Sequence, residues 1–228
     1  MSRIRLWDLP VRLFHWLLVI AVFGAIASVK LGGTWMVWHE RFGLAVLGLL
    51  SFRLVWGFTG STYARFTQFV RGPSAVLAYL KGDWQGVGHN PLGALSVLLL
   101  MAMFGFQALT GLFATDEIAF NGPLYRAVSS DWSETFTHWH HLSEWFLYGV
   151  IALHILAIMF YLHVKKNNLV KPMITGYKEL PEGTVAKDAT GGGMIGFLVA
   201  VAVAAVVVWV ATGGLLAPPP APPQDLGW

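Results

Sequence analysis

The chain has 228 residues, of which 56% are hydrophobic and only 12% are charged, and its mean hydropathy is +0.60. Because a soluble domain carries about 25% charged residues, this composition indicates an integral membrane protein. The chain has no cysteine, which excludes disulfides, iron–sulfur clusters and covalently attached haem. The net charge of +3 comes from basic residues between apolar segments, a pattern that reflects membrane orientation rather than nucleic-acid binding.

Five apolar segments each approach the roughly 20 residues that a helix needs to cross a bilayer. They lie at about 10–30, 39–59, 91–113, 140–163 and 194–216. The predicted fold is therefore an all-α integral membrane protein. The fifth segment is rich in valine and alanine and has no ionisable residue, so we interpret it as an anchoring or packing helix.

The first segment has features of a cleavable signal peptide, namely basic residues, an apolar run and the small-residue motif Ala25-Ile26-Ala27. The polar pair His15-Trp16 inside the run argues against cleavage, so we expect the segment to remain as a helix. Asp8 and Pro10 suit the beginning of that helix, as a capping residue and an early-turn proline.

The distribution of lysine and arginine predicts the orientation. Twelve of these 15 residues lie in the N-terminus, the 53–90 connection and the 164–190 connection, whereas Lys30, Arg41 and Arg126 lie on the other side. Cytoplasmic loops carry an excess of lysine and arginine. The sequence therefore predicts a cytoplasmic N-terminus and a C-terminus on the outer side.

The 114–139 loop is predicted to lie on the outer side and is acidic. It has four acidic residues and one arginine, a net charge of −3. Such a loop could steer a basic soluble partner towards the protein. A solvated loop without any partner explains the charge equally well.

The C-terminal part divides into three further regions. Residues 181–193 end in the glycine-rich stretch 187–193, which predicts a flexible linker. Residues 194–216 form the additional transmembrane helix. The tail 217–228 is rich in proline, so we expect it to be extended and, from the orientation above, periplasmic.

Two histidines, His140 and His154, lie 14 residues apart in the fourth segment. At about 100° per residue, 14 steps return to within roughly 40° of the starting direction. The same steps rise roughly 21 Å. One helix face therefore carries two imidazoles near opposite sides of the bilayer, where imidazole is costly to leave unbound and is a good iron ligand.

The predicted orientation supplies a partner for each imidazole. His15 lies near the inner end of the first segment and His39 near the outer end of the second. Depth therefore pairs His15 with His154 as ligands of an inner haem iron, and His39 with His140 as ligands of an outer haem iron. Two imidazoles saturate each iron, which favours electron transfer over oxygen binding. The predicted cofactors are two haem b groups.

Two arginines fall at the level of the inner haem. Arg53 follows His39 by 14 residues and so shares its face, and Arg12 precedes His15 by three residues. Both could bind haem propionates through bidentate hydrogen bonds. The competing interpretation of Arg53 is a side chain that extends to the lipid headgroups.

The remaining histidines have simpler interpretations. We expect His89 to be a helix cap or an interfacial residue and His163 to be solvated. His141 is 13 residues from His154 and is turned roughly 140° away from its face, so we select His140 over both neighbours. Four glycines could admit a flat macrocycle or serve helix packing equally well: Gly43, Gly105, Gly111 and Gly149.

Several motifs resemble those of the prokaryotic cytochrome b-561 family, which is similar to the b-type subunits of Ni/Fe hydrogenases. They occur in family order, and the resemblance covers about residues 4–178. The motifs are Trp7-Asp-Leu-Pro-x-Arg-x-Phe-His-Trp16, His39-Glu-Arg-Phe-Gly43, Phe52-Arg-x-x-Trp-Gly-Phe-x-Gly60, Gly88-His-Asn-Pro-Leu-Gly93, His140…Leu153-His154 and Asn168-Leu-Val-x-x-Met-Ile-Thr-Gly176.

The resemblance implies a four-helix transmembrane haem-binding bundle, here residues 1–180, with the fifth helix as an addition. The ligand positions of the family fall on His15, His39, His140 and His154. The resemblance also implies electron transfer in the bacterial inner membrane between a quinone and a periplasmic redox partner, such as a cytochrome c or a dehydrogenase- or hydrogenase-type subunit. The chain would then be an electron-transfer cytochrome, and a candidate quinone-reactive subunit of an oxidoreductase.

Two other functions remain open at this point. The fifth helix and the tail favour a membrane anchor or assembly subunit that recruits a periplasmic redox partner, with haem transfer secondary. The intramembrane histidines and arginines are also compatible with a transporter or channel. The sequence has no recognisable quinone-binding motif. His89 and Arg65 are candidates for lining a quinone site.

Overall fold

The structure is a computed structural model that describes residues 2–84, 86–181, 184 and 186–216. The predicted tail 217–228 and part of the predicted linker lie outside the described residues. Within the described part, five helices are long and apolar enough to cross a membrane. They are α1 (Leu9–Leu31), α2 (Met36–Thr59), α5 (Pro91–Phe113), α6 (Ser130–His163) and α8 (Met194–Ala211). The predicted all-α membrane fold is confirmed.

Shorter elements close one end of the bundle. They are the helices α3 (Phe66–Phe69), α4 (Pro73–Lys81) and α7 (Val170–Thr175) and the strands β1 (Ser2–Arg5) and β2 (Tyr177–Leu180). The two strands form an antiparallel pair in which Arg3 lies opposite Glu179. Strands of four residues have too little periodicity to be recognised in the sequence. We refer to the end that carries these strands as the N-terminal end.

Two of the membrane helices have bounds that differ from the apolar segments. Helix α6 begins at Ser130, ten residues before its predicted start, and α8 ends at Ala211 rather than at 216. The first turns of α6 are polar, and Asp131 in its first turn suits the positive end of the helix dipole. Hydropathy detects only the part of a helix that is apolar, so these turns were assigned to the loop.

Helix α2 lies at the centre and packs against α1, α5 and α8, while α6 packs against α5. The contact with α8 is close at Gly48, where an added Cβ would lie 2.8 Å from Val208 Cγ2. Phe197 of α8 also packs edge to face on Phe52, with ring centroids 5.8 Å apart. The fifth helix is therefore packed directly on the central helix of the bundle.

Asp8 joins α1 to the end of α2. It is buried, and its Oδ1 accepts a hydrogen bond from the Val11 amide at 2.7 Å, as predicted for a capping residue. Its Oδ2 accepts from Trp56 Nε1 at 3.1 Å and from Ser61 Oγ at 2.5 Å. One carboxylate thus fixes the beginning of α1 against the end of α2.

The described residues before α8 are held against the N-terminal end. The Arg5 amide donates to Asp188 Oδ1 at 2.6 Å, the Ala189 amide donates to the Arg5 carbonyl at 2.8 Å, and the Thr62 amide donates to the Thr190 carbonyl at 2.8 Å. The sequence predicts a flexible linker at 181–193, and residues 188–190 of that range make regular hydrogen bonds to the bundle.

Candidate functional site

The imidazoles of His39 on α2 and His140 on α6 face each other near the end opposite to β1 and β2. Their ring centroids are 6.1 Å apart and their planes are nearly perpendicular, at 87°. Two imidazoles on opposite sides of one metal ion, with bonds of about 2.0 Å, have ring centroids roughly 6 Å apart. The separation therefore fits a single metal ion between the two rings.

Backbone hydrogen bonds set the tautomer of both rings. His39 Nδ1 lies 2.9 Å from the Ala25 carbonyl oxygen, and His140 Nδ1 lies 2.9 Å from the Gln107 carbonyl oxygen. A carbonyl oxygen only accepts, so each Nδ1 must carry the proton and each Nε2 must carry the lone pair. This is the usual arrangement of a histidine that binds metal.

Polar residues of α5 and α6 lie beside the His140 ring. The Gln107 amide donates to the His140 carbonyl at 3.0 Å and lies 3.3 Å from His140 Nε2. Ser143 Oγ donates to Gln107 Oε1 at 2.5 Å, and Thr110 Oγ1 lies 3.3 Å from His140 Nδ1. Gln107, Thr110 and Ser143 were not predicted as site residues, although a glutamine in so apolar a helix indicates a functional site.

Gly111 also belongs to this site. An added Cβ there would lie 2.9 Å from His140 Cε1, whereas at Gly105 it would make an ordinary contact of 3.9 Å with Leu50 Cδ1. At Gly43 and Gly149 an added Cβ would meet no other described residue within 4 Å beyond its own stretch of helix. Of the four glycines singled out in the sequence, Gly111 admits the His140 ring itself.

A cavity of about 390 Å³ adjoins the two rings, a volume within the range of ligand sites. It is mostly apolar, but Lys30, Glu144 and Tyr148 line one side. Lys30 Nζ lies 3.1 Å from Glu144 Oε1, and the Tyr148 hydroxyl donates to the same carboxylate. The sequence places Lys30 on the outer side, and nothing in it indicates that Lys30 meets Glu144 and Tyr148.

His15 on α1 and His154 on α6 form a second group near the N-terminal end. Both rings are partly buried, and they lie close enough for their charges to interact. His15 Nδ1 is buried and has no hydrogen-bond partner among the described residues. A buried polar atom without a partner costs roughly 1–3 kcal/mol, so this nitrogen fits a group that the protein alone does not supply. The His15 ring differs here from His39 and His140, whose Nδ1 atoms are held by backbone carbonyls.

Arg53 is buried in the same region, with 3% of its surface exposed. This excludes a side chain that extends to the lipid headgroups. Its Nη2 donates to the Ala64 carbonyl at 3.0 Å, and its guanidinium lies over the Phe66 ring, 4.8 Å from the centroid. Its buried Nη1 has no hydrogen-bond partner in the described part of the chain, and neither has the buried Nε of Arg12. Two cations with unused donors fit a bound anion.

The other histidines belong to neither of the two pairs. His138, His141 and His163 are exposed. The prediction that His89 caps a helix is wrong, because Asn90 caps α5 by accepting from the Gly93 amide at 2.7 Å. His89 instead packs against Trp7, and burial together with the Arg53 charge lowers the pKa of His89 to about 3.

The donor set fits haem at both places. Each site brings together two imidazoles from different helices, and the N-terminal site adds two arginines with free N–H groups. Imidazole is a common axial ligand of haem iron, and arginine binds carboxylates such as the propionates. The described residues hold no cluster of three or more histidines and acids of the kind that binds a bare metal ion.

Comparison with known proteins points to the same chemistry. Residues 6–176 match the family model of prokaryotic cytochrome b561. A probable Ni/Fe-hydrogenase B-type cytochrome subunit of Cupriavidus necator is 24% identical over 210 residues, which cover 75% of this chain and 85% of that protein. A probable Ni/Fe-hydrogenase 1 B-type cytochrome subunit of Escherichia coli K12 is 22% identical over 223 residues, or 79% of this chain and 92% of that protein. No solved structure matches the chain.

Proposed function

The chain belongs to the prokaryotic cytochrome b561 family, and on this premise we propose that it is a dihaem electron carrier of the bacterial inner membrane. Its five apolar helices make it a multi-pass membrane protein, and a b-type cytochrome implies haem b. Bound haem supplies reversible one-electron reduction of its iron. The protein residues fix where each haem sits and set the charges around it.

Four histidines are proposed as iron ligands. His39 and His140 hold the outer haem, and His15 and His154 hold the inner haem. The facing rings of His39 and His140, each with its Nδ1 bound to a backbone carbonyl, are the observation that carries the proposal. Arg12 and Arg53 bind propionates of the inner haem, which gives their buried donors the anionic partner that they lack.

The physiological role proposed is electron transfer between the quinone pool and a periplasmic redox partner. The positive-inside rule supports a cytoplasmic N-terminal end. Two relatives named as cytochrome subunits of Ni/Fe hydrogenases support a partner that is a redox enzyme, and a cytochrome c is the alternative partner. The chain would then be the electron-transferring, quinone-reactive subunit of a larger oxidoreductase.

The acidic segment 114–139, whose Asp131 and Glu134 lie in the first turns of α6, supports docking of a basic partner. Asp116 Oδ1 accepts hydrogen bonds from three successive backbone amides, of Ile118, Ala119 and Phe120, at 2.8 to 3.0 Å. These bonds hold the loop in one conformation, and Ile118 is 92% exposed at its tip. An apolar side chain in an acidic, ordered loop suits a partner with a basic rim.

A difference spectrum together with a haem assay tests the haem assignment. We expect purified protein to show a reduced-minus-oxidised difference spectrum of low-spin b haem and a pyridine-haemochrome assay to give two haems per chain. One haem per chain would leave the electron-transfer role but remove the second site. Colourless protein would refute the proposal.

A second candidate function is recruitment of the partner through α8. The close packing of α8 on α2 makes it part of the bundle, yet the family match ends at residue 176. Deletion of residues 187–228 discriminates between the functions. Lost partner association with intact haem spectra would favour a docking role for this region.

A further inference from the structure

His89 is a partly buried residue that the proposed function has not used. It belongs to the loop between α4 and α5, and its ring packs against Trp7 and Phe69, with centroid distances of 4.7 and 4.5 Å. Its Nδ1 atom is buried and has no hydrogen-bond partner among the described residues. The two aromatic rings offer no conventional acceptor, so something else must satisfy this nitrogen.

The surroundings of His89 are cationic. The Arg53 guanidinium lies 5.9 Å from the centroid of the same Phe69 ring, and Arg53 and His89 interact electrostatically. Among the described residues, Arg53 forms no ion pair. The nearby carboxylate of Asp8 is already engaged by Val11, Trp56 and Ser61. A further acceptor is therefore missing from this group.

Trp7 links His89 to the beginning of α1 and hence to His15. The Trp7 amide donates to the Gly176 carbonyl at 3.1 Å, and an added Cβ on Gly176 would lie 3.1 Å from Arg12 Nη1. Arg12 itself is one turn before His15 on the same face. A chain of contacts thus connects His89 and both arginines with the beginning of α1, which carries His15.

We propose that His89 is a third carboxylate-binding residue of this site, which donates from Nδ1 to a propionate of the haem held by His15 and His154. This inference rests on the proposed function. One carboxylate has two oxygens with about four acceptor positions, enough for Arg53 Nη1, Arg12 Nε and His89 Nδ1. The bond needs only the neutral imidazole, which carries one N–H.

The potential of the inner haem and its propionate vibrations report on this bond. Loss of a donor leaves more negative charge near the iron and so favours the oxidised form. We expect His89→Phe, which keeps a ring between Trp7 and Phe69, to shift the oxidised-to-reduced ratio of the inner haem up to about tenfold, or 59 mV for a one-electron couple. The propionate bending band in resonance Raman spectra should move as well.

The matched variants are His89→Gln, whose amide retains a donor, and His163→Phe, which changes an exposed histidine at the same end. We expect His89→Gln to restore most of the potential and His163→Phe to leave it unchanged. The outer haem is an internal control in every sample. Unchanged potential and Raman band in His89→Phe would overturn the inference, and so would identical shifts in His89→Phe and His89→Gln.

Two further arms complete the test. If the variant differs from the parent protein only when inorganic phosphate is added to a phosphate-free detergent buffer, His89 binds free phosphate and the inference is wrong. If His89→Phe does not accumulate, the propionate Raman band of His89→Gln decides, because the glutamine places its donor differently from the imidazole. A moved band then supports the inference, and an unmoved band overturns it. His154→Ala separates the two proposals, since two haems retained in that variant would refute the inner site itself.

Discussion

Asp8 Oδ2 accepts a hydrogen bond from Trp56 Nε1 at 3.1 Å, across the junction between the beginning of α1 and the end of α2. Both side chains are buried, with 5% and 1% of their surface exposed. The same carboxylate caps α1, two turns before His15. The position of one proposed haem ligand therefore depends on a buried polar contact between two helices.

Replacement of Asp8 by alanine should destabilise the protein by roughly 2–4 kcal/mol, because it removes a helix cap and leaves the donors of Trp56 and Ser61 unpaired. Thermal unfolding in detergent, followed by tryptophan fluorescence, measures the effect. Asp83→Ala removes an exposed acidic residue at the same end and should change stability by no more than about 0.5 kcal/mol. Equal effects of the two replacements would contradict this role of Asp8.

Replacement of either α6 ligand by alanine should remove one haem. We expect His140→Ala and His154→Ala each to retain about half of the haem, because each leaves the other pair intact. The pyridine-haemochrome assay gives the stoichiometry. His138→Ala and His163→Ala change exposed histidines of the same helix and should retain both haems. Unchanged haem in His154→Ala would refute its assignment.

Gly111→Ala should weaken the outer site. The added Cβ would lie 2.9 Å from His140 Cε1, and such overpacking typically costs about 1–3 kcal/mol. Haem should therefore be retained at least about fivefold less tightly there, as measured by its transfer to apomyoglobin. Gly105→Ala, with its nearest contact at 3.9 Å, is the control on the same helix. Equal retention in both variants would show that the His140 ring adapts freely.

Gly48→Ala should loosen α8, because its Cβ would lie 2.8 Å from Val208 Cγ2. We expect a loss of about 1–3 kcal/mol in stability. Val208→Ala should partly rescue the variant by making room, and a double-mutant cycle of thermal unfolding measures the coupling. Additive losses would mean that the two residues do not meet. Haem content should stay at the parent value throughout, since neither residue lies in a proposed haem site.

The 115–121 loop should lose its order only in strong acid. Three backbone hydrogen bonds lower the pKa of Asp116 below its ordinary value of 3.8. The carboxylate therefore stabilises the loop above pH 3.8, and this contribution is lost as the pH falls through the lowered pKa. Hydrogen exchange of the Ile118 to Phe120 amides, corrected for intrinsic rates, should show protection down to about pH 4. Protection that is lost already at pH 5 would exclude Asp116 as its source.

The membrane helices were predictable because each carries its signal in one continuous apolar run, and the spacing of His140 and His154 follows from helix geometry alone. The residues that surround the histidines could not be predicted in this way. Gln107 reaches His140 from another helix, and which polar residue of α5 meets which residue of α6 depends on how the two helices rotate and cross. Asp8 was recognisable as a cap, but its bonds to Trp56 and Ser61 span long sequence separations.

The surroundings of His89 were also not predictable from the sequence. Its place before Asn90-Pro91 predicted a cap, and Asn90 took that role because its side chain reaches the Gly93 amide. The His89 ring packs against Trp7 and Phe69, which come from two other parts of the chain. Local sequence cannot foresee such a three-way packing.

The pairing of β1 with β2 also bears on how the protein is made. Arg3 pairs with Glu179, so the first strand to leave the ribosome has no partner until α6 and α7 have been synthesised. During this interval the N-terminal end of the bundle, which carries His15 and His154, lacks this strand pair. Pairing of the two strands is therefore a late step, which follows the synthesis of α1 to α7.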